Sequence, residues 1–162
     1  MLSQVDSIIF LKGIPFFANS TMQQLTALAS ACVTENYSSG EIIVTQGDIP
    51  RALFMVATGQ VIVTYFAGQR KTEKTLDSRG YFGEANVFDE SAANFTAIAT
   101  NETIILRLMF EPLAALMKTD LNLSYNIIRN LSQEIKNKNE QIAQMTRKHT
   151  RGMHQIFDKL DG

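Results

Sequence analysis

Reactive and metal-binding residue types are scarce in this chain of 162 residues. There is one cysteine, Cys32, so an internal disulfide framework and a cysteine zinc site are excluded. The two histidines, His149 and His154, lie near the C-terminus, and the sequence shows no base near Ser91 or Cys32. We therefore predict no catalytic residues and no metal site, and we do not expect an enzyme.

The sequence also lacks an excess of charge of one sign and long hydrophobic runs. The formal net charge is -1, which gives no overall basic field for DNA, RNA or an anionic membrane. No apolar run approaches the ~18 residues of a membrane-spanning helix. Asp6 interrupts the N-terminal stretch that a signal peptide would need to keep apolar. With 45% hydrophobic residues, the composition predicts one cytoplasmic domain with a real core.

Helical patterns occupy both ends of the chain, and short strands fill the middle. Cap-forming residues at 19–21 begin a helix, and helical spacing returns after Phe110 and again from about Leu121 to Lys148. The residues beyond 150 are predicted to form a fraying turn or a small extra helix. Glycine-punctuated alternation predicts antiparallel strands near 33–37, 41–45, 52–57, 60–66, 70–76, 95–100 and 103–109.

Four segments, in this order, resemble the cyclic nucleotide-binding domain family. FLKGIPFFANSTMQQLTALA resembles the family's entry helices, and SSGEIIVTQGD resembles its glycine–strand–glycine–acid stretch. LFMVATGQVIVT resembles its hairpin, and YFGEANVF resembles the start of its phosphate-binding cassette. The resemblance covers roughly residues 10–140. It implies an α+β, mainly β fold, in which a β-barrel of jelly-roll type is flanked by N-terminal helices and two C-terminal helices.

The same resemblance divides the chain into four parts. Residues 1–31 are expected to form an N-terminal helical segment, and residues 32–109 the β-barrel core. Residues 110–150 are expected to form the C-terminal helices, and residues 151–162 a tail. Members of the family are regulatory modules that sense a cyclic nucleotide, so cAMP or cGMP is the implied ligand, and no cofactor is certain.

The cassette of the family supplies the expected binding residues. Its Gly–Glu pair opens a short helix inside the barrel, and backbone N–H groups at that helix N-terminus hold the cyclic phosphate. By resemblance, Phe82 leads into the cassette, Gly83 allows close backbone approach, and Glu84 accepts a hydrogen bond from the ribose 2′-hydroxyl. Ala85 and Asn86 would offer their amides. The residues alone favour a first-turn acid or a structural cap for Glu84, whereas the family pattern favours the binding role.

One element of that cassette is missing. The family closes it with an arginine ten or eleven residues after the glycine, and Ala93 and Asn94 stand there instead. Losing a charged hydrogen bond of about 1.5–3 kcal/mol lowers affinity by roughly one to two orders of magnitude. We therefore expect weak or altered binding of cAMP and cGMP. Other cations are predicted to be solvated surface charges, and Arg107 on the last strand is predicted to face outward.

The long C-terminal helix carries a possible dimer interface. Its apolar residues repeat in alternating steps of three and four and are interrupted by Lys138. They are Ile128, Leu131, Ile135, Ile142 and Met145, called the seam below. An alternative is that Ile128 and Leu131 pack on the barrel and only the later residues can pair. We predict a homodimer or an effector protein in trans. DNA binding is not expected, because too few residues follow this helix for a helix-turn-helix.

Two functions are compatible with these features. The first is a ligand-sensing regulatory module with weak or altered cyclic nucleotide binding. The second is a dimerisation or docking module that keeps the fold without the ligand. The retained Phe-Gly-Glu sequence favours the first function, and the missing arginine favours the second.

Overall fold

The computed structural model describes the backbone of residues 2–160 and the side chains of residues 2–147. Helix α1 spans Gln4–Lys12, a 3-10 helix spans Pro15–Phe17, and α2 spans Met22–Ala31. The cap of α2 is Thr21, whose hydroxyl accepts from the Gln24 N–H while the Gln24 side chain accepts from the Thr21 N–H. This reciprocal cap explains why the helix begins at the end of the predicted cap-forming stretch.

Eight strands follow, and all seven predicted strands are among them. The additional strand, β6, has two residues, too few for an alternating pattern to reveal it. The strands are β1 Val33–Tyr37, β2 Ile42–Val44, β3 Ala52–Thr58, β4 Val61–Ala67, β5 Arg70–Leu76, β6 Tyr81–Phe82, β7 Phe95–Ala99 and β8 Thr103–Met109.

The strands form two antiparallel sheets of four. The first sheet has the order β1-β8-β3-β6, and the second has the order β2-β7-β4-β5. The arrangement agrees with the jelly-roll architecture that the resemblance implied. The hydrogen-bonded ladders do not close into a single barrel, so the β-region is better described as two packed sheets.

Apolar side chains form one core on each face of the first sheet. Alternate residues of β3 divide between them: Phe54 and Val56 face the second sheet, while Leu53 and Met55 face the helices. All four are buried. We call the layer between the sheets the inner core. The cassette lies between β6 of the first sheet and β7 of the second sheet. It therefore connects the two sheets across the inner core.

Two helices follow the sheets. Helix α3 spans Phe110–Thr119 and α4 spans Leu121–Leu160. The second helix continues without interruption past Lys148, so the predicted separate turn or small helix is wrong. The side chains of residues 148–162, which include the predicted tail, lie outside the described part of the chain. Helix α4 is anchored by Leu123 and Ile127, both fully buried against the helical core.

The strand register corrects the prediction for Arg107. Arg107 pairs with Phe54 across β8 and β3, and directly opposed residues share a face of a sheet. Because Phe54 belongs to the inner core, Arg107 projects between the sheets and not outward. Its guanidinium forms an ion pair with Glu35 on edge strand β1 at 2.9 Å. An ion pair at the open edge of the sheet explains how a charged residue is accommodated on this face.

Candidate functional site

The cassette begins with a close approach of two backbone segments. Phe82 is fully buried and its ring stacks on Phe54 with the ring centres 5.0 Å apart. Gly83 has φ +85°, and a Cβ added there would lie 2.5 Å from the Ala52 carbonyl oxygen. Both the positive φ and the proximity of Ala52 require glycine at this position. The close approach that the resemblance implied is therefore one between protein segments.

A single hydrogen-bonded turn follows where the resemblance implied a short helix. The Val87 N–H donates to the Gly83 carbonyl at 2.9 Å, and the chain forms no further helical turn before β7. Ala85 is exposed in this turn. Asn86 is buried, and its side-chain amide donates to the Ser91 carbonyl at 3.5 Å. In place of the implied helix, the chain forms a turn over residues 84–88.

The two positions that could have carried the arginine have opposite environments. Ala93 is 2% exposed and belongs to the inner core, in the same cluster as Phe82 and Phe95. Its N–H donates to the Asp48 carbonyl at 2.7 Å, which fixes the backbone. Asn94 is exposed. The inner face of the cassette, defined by Phe82, Ala93 and Phe95, is therefore apolar and carries no counter-charge for a phosphate.

Glu84 contacts the long helix. Its carboxylate accepts from the Lys138 ammonium at 2.9 Å, although the two residues are 54 positions apart. The Glu84 side chain is 18% exposed, so this carboxylate is largely withdrawn from water. Lys138, which interrupted the seam in the sequence, is thus the cation that meets the cassette acid. The heptad interruption was a signal that this position has a role other than helix pairing.

Two further groups complete this contact, and we call all four the cassette–helix network. Lys138 also pairs with Glu134 at 3.1 Å, one turn earlier on α4. Glu134 in turn accepts from the Tyr81 hydroxyl at 3.0 Å. The network therefore alternates between the two segments: Tyr81 and Glu84 belong to the cassette and its entry strand, and Glu134 and Lys138 belong to α4.

Ionisation in this network follows from burial and charge. Partial burial lowers the pKa of Lys138, but its hydrogen bonds with Glu84 and Glu134 outweigh this and raise it to about 12. Burial and the nearby carboxylate of Glu134 raise the pKa of Tyr81. Burial, followed by the charge of Glu84, raises the pKa of Tyr65 to about 12. At neutral pH the ammonium is charged and both hydroxyls are protonated, so the ion pairs and the Tyr81 hydrogen bond persist.

A second cation from outside the cassette, Arg51, contacts its C-terminal part. Arg51 forms ion pairs with Glu90 of the cassette at 3.3 Å and with Glu111 of α3 at 3.6 Å. Its guanidinium carbon also lies 4.4 Å from the centre of the Phe110 ring. Arg51 adopts φ +39°, an uncommon conformation for a non-glycine residue. The outer face of the cassette, defined by Glu84, Phe88 and Glu90, therefore receives its positive charge from other segments.

A cavity of about 300 Å³ lies between the outer face and α4. Its apolar lining is provided by Ala85 and Phe88 of the cassette and by Leu131 and Ile135 of α4. The ring of Phe88 also stacks on Phe16, with 6.4 Å between the ring centres. Packing between the cassette and α4 is therefore incomplete at this point, beside the charged cassette–helix network.

The seam residues are mostly available on the surface of α4. Ile128, Ile135, Ile142 and Met145 are between 59% and 69% exposed. Leu131 is partly buried against the helical core. The alternative interpretation placed both Ile128 and Leu131 against the rest of the domain. The structure agrees with it for Leu131 but not for Ile128.

No group of three or more histidine, cysteine or acidic side chains that could hold a metal ion occurs among the described residues. Across the same part of the chain, no helix combines the length and the apolar character needed to span a membrane.

Comparison with known proteins identifies the family. The family profile described as "Cyclic nucleotide-binding domain" matches residues 34–120. The cyclic AMP receptor protein of Thermus thermophilus is 29% identical over 128 residues, which is 78% of this chain and 59% of that protein. The cGMP-dependent protein kinase isozyme 1 of Drosophila melanogaster is 31% identical over 98 residues, covering 58% of this chain and 13% of the kinase.

Solved structures show the same fold. The catabolite activator protein of Thermus thermophilus superposes with a TM-score of 0.70 at 24% identity, over 82% of this chain and 63% of that one. The regulatory domain of Toxoplasma gondii PKA, crystallised with cAMP, superposes with a TM-score of 0.69 at 23% identity. That match covers 83% of this chain and 50% of the other. The chain is thus a member of the cyclic nucleotide-binding domain family.

Proposed function

We propose that this chain is a non-catalytic, ligand-sensing regulatory module whose binding of cAMP and cGMP is weak or altered. The observation that carries the proposal is the burial of Ala93 in an apolar cluster, at a position where the family places its phosphate-pairing arginine. Its matched relatives include a cyclic AMP receptor protein and cGMP-dependent kinases, so these two nucleotides are the ligands to test.

Two physical effects weaken nucleotide binding in this proposal. The absent arginine removes a charged contact of about 1.5–3 kcal/mol, or roughly one to two orders of magnitude in affinity. In addition, the carboxylate that would accept from the ribose already accepts from Lys138. A nucleotide must therefore share the Glu84 carboxylate, one oxygen of which already accepts from Lys138, and gains no cation at Ala93.

Isothermal titration of the purified chain with cAMP and with cGMP tests the proposal. Because the phosphate lacks its arginine and Glu84 already binds Lys138, we expect no saturation until the nucleotide is near millimolar. The exposed substitution Asn94→Arg, which returns a guanidinium to the cassette, is expected to tighten binding, whereas Lys74→Arg on strand β5 is not. Saturation of the unmodified chain at low micromolar cAMP or cGMP would refute weak binding.

The exposed seam supports a second candidate, a dimerisation or docking module that retains only the fold. Four apolar side chains on one face of α4 are 59–69% exposed, and such a stripe is the sequence signature of helix pairing. Sedimentation equilibrium tests this candidate directly. We expect a dimer that Ile135→Lys converts to a monomer, while Gln133→Lys on the opposite side of α4 leaves it intact. A monomer at every concentration would exclude homodimerisation and leave an effector protein in trans.

The remaining parts of the proposal concern partners and location. The net charge of -1 supports a module that does not bind nucleic acid. We also propose that the module is cytoplasmic and acts on an effector protein through α4, since that helix contacts the cassette and also presents the seam.

A further inference from the structure

The contact between α4 and the cassette combines an ion pair with incomplete apolar packing. Beyond the fully buried Leu123 and Ile127, the side chains of α4 become progressively more exposed toward Met145. Where the helix passes the cassette, a cavity of about 300 Å³ separates the apolar surfaces. At the same level Glu84 lies 2.9 Å from Lys138. The ion pair therefore holds α4 to the cassette at a level where apolar packing is incomplete.

The charges in this contact are complementary across the two segments. Without α4, the cassette would carry three acidic residues, Glu84, Asp89 and Glu90, and no base of its own between Gly83 and Asn101. Lys138 meets the first of these acids, and it is held in place by Glu134 on its own helix. The Tyr81 hydroxyl adds a direct hydrogen bond from the entry strand to Glu134.

We propose that Lys138 is an internal counter-ion of the cassette, which keeps α4 docked on it in the absence of any small molecule. This inference deepens the proposed function and rests on it in one respect, that Glu84 is not reserved for a ribose. A group that donates to the same Glu84 oxygen competes with Lys138 and thereby weakens the hold of the cassette on α4. The Glu84–Lys138 ion pair then determines where the seam on α4 lies relative to the cassette.

Hydrogen exchange of the full chain without nucleotide tests the inference. We expect the amides of 84–88 and of 131–138 to exchange about two- to fivefold faster in Glu84→Gln and in Lys138→Gln, the range that partly exposed ion pairs give. Lys136→Gln is the matched control, because Lys136 is exposed on the same helix and projects in another direction. Lys138→Arg keeps the charge and should retain the protection.

The double variant Glu84→Gln/Lys138→Gln makes the test specific for the pair. If the two side chains act through each other, the double variant exchanges no faster than the faster single variant. Exchange in both single variants equal to that of Lys136→Gln, or effects that add in the double variant, would overturn the inference. If Lys138→Gln does not fold, Glu84→Gln compared with Lys136→Gln decides alone.

Failure of this inference is distinguishable from failure of the proposed function. The exchange experiment contains no nucleotide, so it reports only on the contact between the cassette and α4. Tight heat-detected binding of cAMP would overturn weak binding while leaving the exchange result intact. Unchanged exchange in the variants would overturn the internal counter-ion while leaving weak cAMP binding intact.

Discussion

The inner and outer faces of the cassette differ in their chemistry, although the two faces belong to the same short segment. The inner face has Phe82, Ala93 and Phe95, all nearly or fully buried, and the rings of Phe82 and Phe95 lie 5.8 Å apart. The outer face has Glu84 and Glu90, each in an ion pair with a cation from elsewhere in the chain.

The two faces differ in which charged side chains they contact. A small anion between the sheets would need a fixed positive charge there, because burying an unpaired charge is costly. Arg107 does project between the sheets, but its guanidinium is paired with Glu35. The cations that meet the cassette acids lie outside, where Lys138 pairs with Glu84 and Arg51 pairs with Glu90 and with Glu111 of α3. The outer face of the cassette thereby contacts other parts of the chain through charged side chains.

The largest expected effect comes from placing a charge on the inner face. Ala93→Arg puts a guanidinium at a 2% exposed position without a partner, and we expect a loss of about 3–5 kcal/mol in unfolding free energy. Asn94→Arg is exposed and should change it by less than about 0.5 kcal/mol. Chemical denaturation measures both. A stable Ala93→Arg variant that binds cAMP tightly would show that the inner face is a nucleotide pocket.

A smaller effect is expected where the cassette approaches β3. Gly83→Ala combines a positive φ with a Cβ 2.5 Å from the Ala52 oxygen, which we expect to cost about 2–4 kcal/mol of stability. Gly40→Ala is the matched control, since Gly40 has a similar φ of +88° and no atom within 4 Å of the added Cβ. It should cost only about 1–2 kcal/mol. Equal losses of stability in Gly83→Ala and Gly40→Ala would mean that the contact with Ala52 adds nothing to the cost of the substitution at Gly83.

The smallest effect concerns the outer face at alkaline pH. The pKa of Lys138 is raised from 10.5 to about 12, so its stabilising contribution is complete below 10.5 and is lost as the pH rises through about 12. The stability difference between the unmodified chain and Lys138→Gln should therefore be constant at neutral pH and vanish above that range. Denaturant midpoints at a series of pH values measure it. A difference that persists at higher pH would exclude the Lys138 charge as its source.

The fold was predictable because its signals are local. Short segments punctuated by glycine marked the seven longer strands, and the cap at Thr21 marked a helix start. Part of the inner face was also open to prediction, since Ala93, Phe95 and Ala97 continue one inward-facing period of two. By contrast, strand β6 is too short to carry a period. The inward position of Arg107 follows from its register with Phe54, which becomes visible only in the folded sheet.

The outer face could not be predicted in the same way. Glu84 and Lys138 are 54 residues apart, and no pattern in the sequence links them. The available signals were the charged residue within the seam and the spacing of four between Glu134 and Lys138, which is typical of an ion pair on one helix. Both signals indicate that Lys138 has a specific role, but the partner that matters is defined only by the packing of α4 against the cassette.

The most direct measurement is a nitrogen–proton NMR titration of the chain with cAMP, because it locates binding as well as detecting it. If binding is weak, the backbone amides of Gly83, Glu84, Ala85 and Asn86 will show no saturable shift below near-millimolar nucleotide. Saturable shifts of these four amides at micromolar cAMP would contradict weak binding, since the cassette would then hold the phosphate without the arginine and despite Lys138.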